Sequence, residues 1–270
     1  MATLRMSTLA DKRLEVYTKL TNHQLRSAWE CEHGIMIVES QIAIRVALEA
    51  RMRPLSFLLS EQRLQAMADV VDSLDDDVPV FVLPPDQMER LCGFRVTRGA
   101  LCAMERPRPL SVDQLLDEAR RLVVVEGVTD TSNIGAIFRN AAALGADGVL
   151  VAPTCADPLV RRAIRVSMGN VFRVPWCRAD GAWPTHAMNA LSERGFLRLA
   201  LALASDAVSL DDPSLREASK VALCFGSEGA GLTQAVLDAC DKKVIIPMAH
   251  GVDSLNVAAS SAVAMWELFR

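Results

Sequence analysis

The sequence has one tyrosine, Tyr17, and aromatic residues make up only 5% of its 270 positions. A surface that stacks bases on rings is therefore excluded. Cysteine occurs seven times, at 31, 92, 102, 155, 177, 224 and 240, and never as a Cys-x-x-Cys pair. An odd, scattered set excludes both a disulfide framework and a zinc site, and fits reduced, buried thiols. Excess positive charge is missing too: the formal net charge is −4. General polyanion binders are basic, so any contact with a polyanion has to rest on a local patch. The longest apolar run, around Phe196 to Ala204, contains Arg198 and is too short to span a bilayer. Met1 to Arg13 lacks an apolar stretch of signal-peptide length. A cytoplasmic protein is expected, without a membrane partner and without a metal.

What is present is an alternation of short apolar runs and helical patterns, with half the residues hydrophobic. That pattern indicates an α/β fold. Residues from about Thr8 to Glu30 read as a broken amphipathic helix. Strands are expected at Gly34–Glu39, Leu55–Leu59 and Val78–Leu83, and helices at Ile42–Ala50 and Glu61–Val71. The proline-rich stretch Glu105 to Ser111 is the best linker candidate. Beyond it, strand-like runs lie at Leu122–Val125, Gly148–Val151, Leu199–Leu203, Val221–Phe225 and Val244–Ile246. The expected division is an N-terminal helical segment (1–30), a small α/β domain (31–108), a linker (109–120) and a second α/β domain (121–270).

Three segments of the second half carry polar residues in suggestive positions. In the first, a strand ends near Val125 and a helix starts around Asn133, with Thr131, Ser132 and Asn133 all good N-cap types and Gly145 placed as C-cap. Ile134, Ile137, Phe138, Ala141 and Leu144 share one helical face. Arg139 points elsewhere, among Gly135, Ala136, Ala142 and Ala143, which leaves its guanidinium open to a phosphate, a ribose or a partner backbone. In the second, the strand Val221–Phe225 runs into Gly226-Ser-Glu-Gly-Ala-Gly-Leu232. Its Gly-x-x-Gly-x-Gly spacing fits neither a dinucleotide fingerprint nor a P-loop. Glu228 in its middle either accepts bonds from a ligand or fixes the loop. In the third, a strand stops at Pro247 and a helix of small residues begins near Ser254, a plausible N-cap, with Asn256 in the first turn. Taken singly, the three reduce to a capped helix, a glycine turn and a small-residue helix.

Read together, the segments resemble the SpoU/TrmH family of RNA ribose methyltransferases in the SPOUT superfamily. The first matches Asn-x-Gly-x-x-x-Arg through Asn133, Gly135 and Arg139. The second matches Gly-Ser/Thr-Glu-x-x-Gly through Gly226, Ser227, Glu228 and Gly231. The third matches Ile-Pro-Met…Ser-Leu-Asn-Val through Ile246, Pro247, Met248, Ser254, Leu255, Asn256 and Val257. The resemblance implies a C-terminal SPOUT domain with a deep trefoil knot, preceded by a small α/β substrate-binding domain of ribosomal-protein type. At Ser40 the smaller domain has serine where relatives often have glycine. The implied cofactor is S-adenosyl-L-methionine, held by Gly226, Ile246, Met248 and Leu255. The implied reaction is methylation of a ribose 2′-hydroxyl in RNA, ribosomal RNA ahead of transfer RNA, by a homodimer. Arg139 takes the chemical role; Asn133 orients Arg139 or the substrate, and Glu228, Ser254 and Asn256 shape the pocket. Two arginine-rich stretches are candidates to meet RNA: Arg161, Arg162, Arg165, Arg173 and Arg178, with Asp157 as the counter-charge nearby, and Arg90, Arg95, Arg98, Arg106 and Arg108. The competing reading is a noncatalytic RNA-binding protein that keeps the methyltransferase fold.

Overall fold

The chain's apolar runs assemble into two separate sheets. The structure is a computed structural model that describes residues 3–18, 29–92 and 99–269. Its contacts divide the chain into one unit of Met1–Pro107 with Leu159–Phe172, and another of Arg108–Pro158 with Arg173–Arg270.

The first unit holds a mixed five-stranded sheet of β1 (Thr3–Arg5), β2 (Ile35–Glu39), β3 (Pro54–Ser60), β4 (Val80–Leu83) and β5 (Ala100–Glu105). Their order is β1-β4-β3-β5-β2, with β5 antiparallel to both β2 and β3. Two expectations need correction here, at the N-terminus and in the Glu61–Val71 helix. The N-terminus contributes an edge strand parallel to β4. Of the broken helix expected over Thr8–Glu30, the structure describes a 3-10 turn (Lys12–Leu14), one helical turn (Glu15–Thr18) and helical residues from 29 onward, and residues 19–28 lie outside the described ones. The Glu61–Val71 helix is interrupted: Met67, fully buried at φ −122°, separates Glu61–Ala66 from Ala68–Asp72. The lone tyrosine turns out to be a core residue. Tyr17 donates its hydroxyl proton to the Ser56 carbonyl at 2.8 Å and accepts from the Ala103 amide at 3.2 Å, so it ties adjacent strands β3 and β5. Burial pushes its phenol pKa up.

Residues 159–172 reach this unit from between two strands of the other. Gly169, at φ +81°, allows the approach, because a β-carbon there would stand 3.1 Å from the backbone of Ala43. The Arg161–Val166 helix is fastened to the end of β2 by charge. Glu39, 4% exposed, accepts from Arg161 Nε at 2.9 Å and from Arg165 Nη1 at 3.2 Å. Two of the arginines proposed to meet RNA are thus ion-paired within the protein, with Glu39 as a counter-charge that the sequence did not point to. Arg95 and Arg98 lie outside the described residues.

The second unit is a seven-stranded, wholly parallel sheet in the order β10-β12-β9-β11-β6-β7-β8. The strands are β6 (Arg121–Val125), β7 (Gly148–Val151), β8 (Trp176–Arg178), β9 (Leu197–Leu201), β10 (Val208–Ser209), β11 (Val221–Phe225) and β12 (Lys242–Ile245). β7, β11 and, past its opening Arg121, β6 are unbroken apolar runs because both sheet faces are covered. β9 lies two residues earlier than its apolar run suggests, so that Leu203 falls past the strand end, 60% exposed. Arg198, the charge inside that run, makes a two-pronged pair with Asp241 at 2.7 and 3.0 Å and holds that carboxyl below its usual range. Arg178 spends its guanidinium on the carbonyls of Ala152, Pro153, Cys155 and Ala156, which removes a third arginine from the RNA candidates. Among the described residues no helix is long and apolar enough to cross a membrane.

Replacing Glu39 by alanine strands two arginines that keep about a quarter of their surface in water. We expect a loss of about 2 kcal/mol, below the cost of breaking a fully buried pair. Urea unfolding followed by circular dichroism measures it.

Candidate active site

From β6 the chain moves outward through β7 and β8 to one side; β11 and β9 occupy the other. The connections leaving the carboxyl ends of β6 and β11 therefore run towards opposite edges of the sheet. Both polar segments of interest leave from here: Glu126 onward from β6, and Gly226 onward from β11.

The β11 loop folds back on itself. The Ser227 amide donates to the Gly231 carbonyl at 3.1 Å and the Gly231 amide to the Ser227 carbonyl at 3.0 Å. A β-carbon on Gly226 would lie 2.1 Å from the Gly231 carbonyl carbon, so only glycine closes this turn. Glu126 holds the loop at both ends. Its amide donates to the Phe225 carbonyl at 2.9 Å, and its carboxylate, 3% exposed, accepts from the Thr233 amide at 2.7 Å and the Thr233 hydroxyl at 3.0 Å. The Trp183 indole donates to the same carboxylate at 2.7 Å. Sequence reasoning missed this residue. Its signal was a lone acid directly after an apolar strand, where a buried carboxylate needs a set of donors.

The three segments meet at Glu228. Asn133 Nδ2 donates to Glu228 Oε1 at 3.0 Å, and Asn256 Nδ2 donates to the same oxygen and to Asn133 Oδ1 at 3.1 Å. Asn256 Oδ1 faces the other way and accepts from the Ala258 amide at 2.9 Å, so Asn256 is the N-cap of the Val257–Leu268 helix. That overturns the expectation for Ser254. In the first segment the cap is Asp130, which places Asn133 inside the first turn. Asn140, two turns on, repeats the attachment by donating to the Ala258 carbonyl at 2.8 Å and Ser261 Oγ at 3.0 Å. The Thr131–Ala143 helix is thus riveted to the C-terminal helix at two points on one stripe.

Beside this node lies a cleft of 330 Å³, lined by Leu201, Leu203, Gly226, Leu232, Ser254 and Leu255 among others. A smaller hollow of 100 Å³ shares Leu201, Leu203, Ser254 and Leu255 with it and adds Ile246 and Met248. All four residues expected to hold a cofactor border this combined space. The backbone N–H groups of Ile246, Met248 and Leu255 donate to no described residue. Arg139 stands apart. Six residues past Asn133, it projects about 120° around the helix axis from it. It is exposed, lines neither hollow, and has no hydrogen bond or ion pair among the described residues. Asn133 makes no bond to Arg139 among the described residues; its carboxamide is committed to Glu228 and Asn256.

Glu126→Ala leaves the Thr233 amide and the Trp183 indole without an acceptor. We expect roughly 2–3 kcal/mol of lost stability, read by thermal or urea unfolding, together with a changed Trp183 emission.

The sequence profile of the SpoU rRNA Methylase family matches residues 120–266. An uncharacterised tRNA/rRNA methyltransferase of Mycobacterium tuberculosis is 39% identical over 96% of this chain and 89% of its own length. Among solved structures, a SpoU methyltransferase from Streptomyces viridochromogenes in complex with AdoMet superimposes with a TM-score of 0.80 at 23% identity, over 95% of this chain and 97% of its own. An RNA 2′-O ribose methyltransferase does so with a TM-score of 0.77 at 25% identity, over 98% and 97%. The profile match covers every segment that meets at Glu228, and the chain belongs to the SpoU rRNA methylase family.

Proposed function

We propose that the chain transfers a methyl group from S-adenosylmethionine to a ribose 2′-hydroxyl of RNA, ribosomal RNA ahead of transfer RNA. The observation that carries this reading is the convergence of Asn133, Glu228 and Asn256 in one hydrogen-bonded node at the edge of an apolar cleft. The cleft fits the cofactor. Leucine walls suit a flat adenine, and the unspent N–H groups of Ile246, Met248 and Leu255 are what its polar edge and ribose require. The similarity to a 2′-O ribose methyltransferase supports the position of transfer, and the AdoMet complex of a relative supports the cofactor. We read residues 31–108 as the substrate-binding domain and 121–270 as the methyltransferase domain, with the loops after β11 and β12 forming the family's trefoil knot.

When bound, the cofactor supplies a methyl group already activated as a sulfonium. The chain's work is then alignment and charge. Asn256 and Asn133 hold Glu228, and through it the β11 loop, in a fixed shape, which confines the cofactor's position. A guanidinium holds its proton too tightly to serve as a base. The free guanidinium of Arg139 suits the phosphate beside the target ribose and the negative charge that grows on the 2′-oxygen. A homodimer is part of the proposal. Val263 and Trp266, three residues apart on the C-terminal helix, are 41% and 53% exposed and offer an apolar strip for a second copy.

Arg139→Ala is expected to lower kcat by about 100-fold or more with little change in cofactor affinity, in a methyl-transfer assay on total RNA beside calorimetry. Gly226→Ala should do the reverse and abolish cofactor binding. Methylation confined to bases in the RNA products, by mass spectrometry of nucleosides, would refute the 2′-O assignment. Trp266→Glu is expected to shift the protein to monomer in analytical ultracentrifugation.

A further inference from the structure

The strands of the second sheet are all parallel, so their amino ends gather on the side away from the cleft. There a cavity of 230 Å³ is bordered by Arg120, Arg121, Asp147, Arg216 and Ser219. Arg121 opens β6 and is paired with Val221, which opens β11. The cavity is therefore a strand length, about 16 Å at ~3.3 Å per residue, from the Gly226 loop.

The backbone around it is tied down. The amides of Arg120 and Arg121 both donate to Asp147 Oδ2 at 2.8 Å. The Arg121 carbonyl accepts from the Asp147 amide at 2.8 Å, and the Arg120 carbonyl from the Val221 amide at 2.7 Å. The aspartate thus binds main chain, while the guanidiniums of Arg120 and Arg121, both exposed, have no hydrogen bond or ion pair among the described residues. Arg216 completes the rim and is paired with Glu267. Many of the other arginines of this chain are spent internally: Arg45 on Asp69, Arg161 and Arg165 on Glu39, Arg194 on Asp113, Arg198 on Asp241. Two arginines with unspent guanidiniums, on a pinned backbone that borders one cavity, stand out in a chain of net charge −4.

We propose that this cavity is a phosphate-binding site. Two guanidinium forks, from adjacent residues bordering the cavity, match the several oxygens and the charge of a phosphate group better than a single carboxylate. The phosphate belongs either to the backbone of RNA bound at a distance from the methyl-transfer cleft or to a free phosphorylated small molecule. Only the RNA source rests on the methyltransferase reading; the site itself does not.

The test uses the full chain and the double variant Arg120→Gln/Arg121→Gln, with Arg120→Lys/Arg121→Lys as the charge-retaining control. The Asp147 bonds run to backbone, so both variants are expected to keep the wild-type Tm. Inorganic tripolyphosphate is titrated by calorimetry, and total ribosomal RNA by filter binding across a salt series. The glutamine variant should bind tripolyphosphate about tenfold or more weakly. If RNA supplies the phosphate, the slope of log affinity against log salt should also flatten by roughly 1.4–1.8, two phosphate contacts' worth, and the lysine variant should keep most of that slope. Loss of tripolyphosphate binding with an unchanged RNA slope assigns the site to a free anion. Unchanged binding of both probes at unchanged Tm overturns the proposal. Neither arm needs methyl transfer, so a failure here is separable from a failure of the enzymatic reading.

Discussion

A side chain at position 226 would collide with the backbone five residues further on, and the second unit is organised around that closeness. Because the loop turns so tightly, Glu228 is presented at its tip rather than along its flank. A carboxylate at the tip is reachable by two amides from segments more than a hundred residues apart, Asn133 and Asn256. Those amides in turn cap or begin the two helices that Asn140 fastens together. The buried Glu126 anchors the roots of the same loop in the sheet. The site is thus fixed by hydrogen bonds from fully committed polar groups, with the apolar cleft left alongside.

Much of this was legible because it is local. Strands β7 and β11 fall where their apolar runs end, and the glycine spacing announced a tight loop after β11. The three polar motifs gave the family through their order. Their mutual contacts were not legible: nothing in spacing says that Asn133 bonds Glu228 instead of turning towards Arg139. Capping residues were misplaced by one to three positions at the first helix and by two at the second, since Asp130, Thr131, Ser132, Asn133, Ser254 and Asn256 are all competent caps and the tertiary partners decide among them. Glu126 escaped notice for the same reason. Its three donors come from Thr233 and Trp183, neither of which neighbours it in sequence.

Charge was the least legible property. Arginine runs in the sequence suggested a surface for RNA, yet Arg161, Arg165 and Arg178 are engaged by protein groups far along the chain or by backbone carbonyls. Arg120, Arg121 and Arg139, without a hydrogen bond or ion pair among the described residues, sit in neither of those runs, and within the runs Arg90, Arg108 and Arg162 are as little engaged. Where a guanidinium is available depends on which carboxylates the fold brings to it, and that is a long-range outcome.

The excursion of Leu159–Phe172 into the first unit bears on how the protein is made. The first 107 residues leave the ribosome well before Arg161 and Arg165 exist, so Glu39 spends on the order of several seconds at ordinary synthesis rates without its partners. A nascent chain in that interval has an incomplete first unit. Its completion waits for the opening strands of the second, which couples the two units in time during biosynthesis.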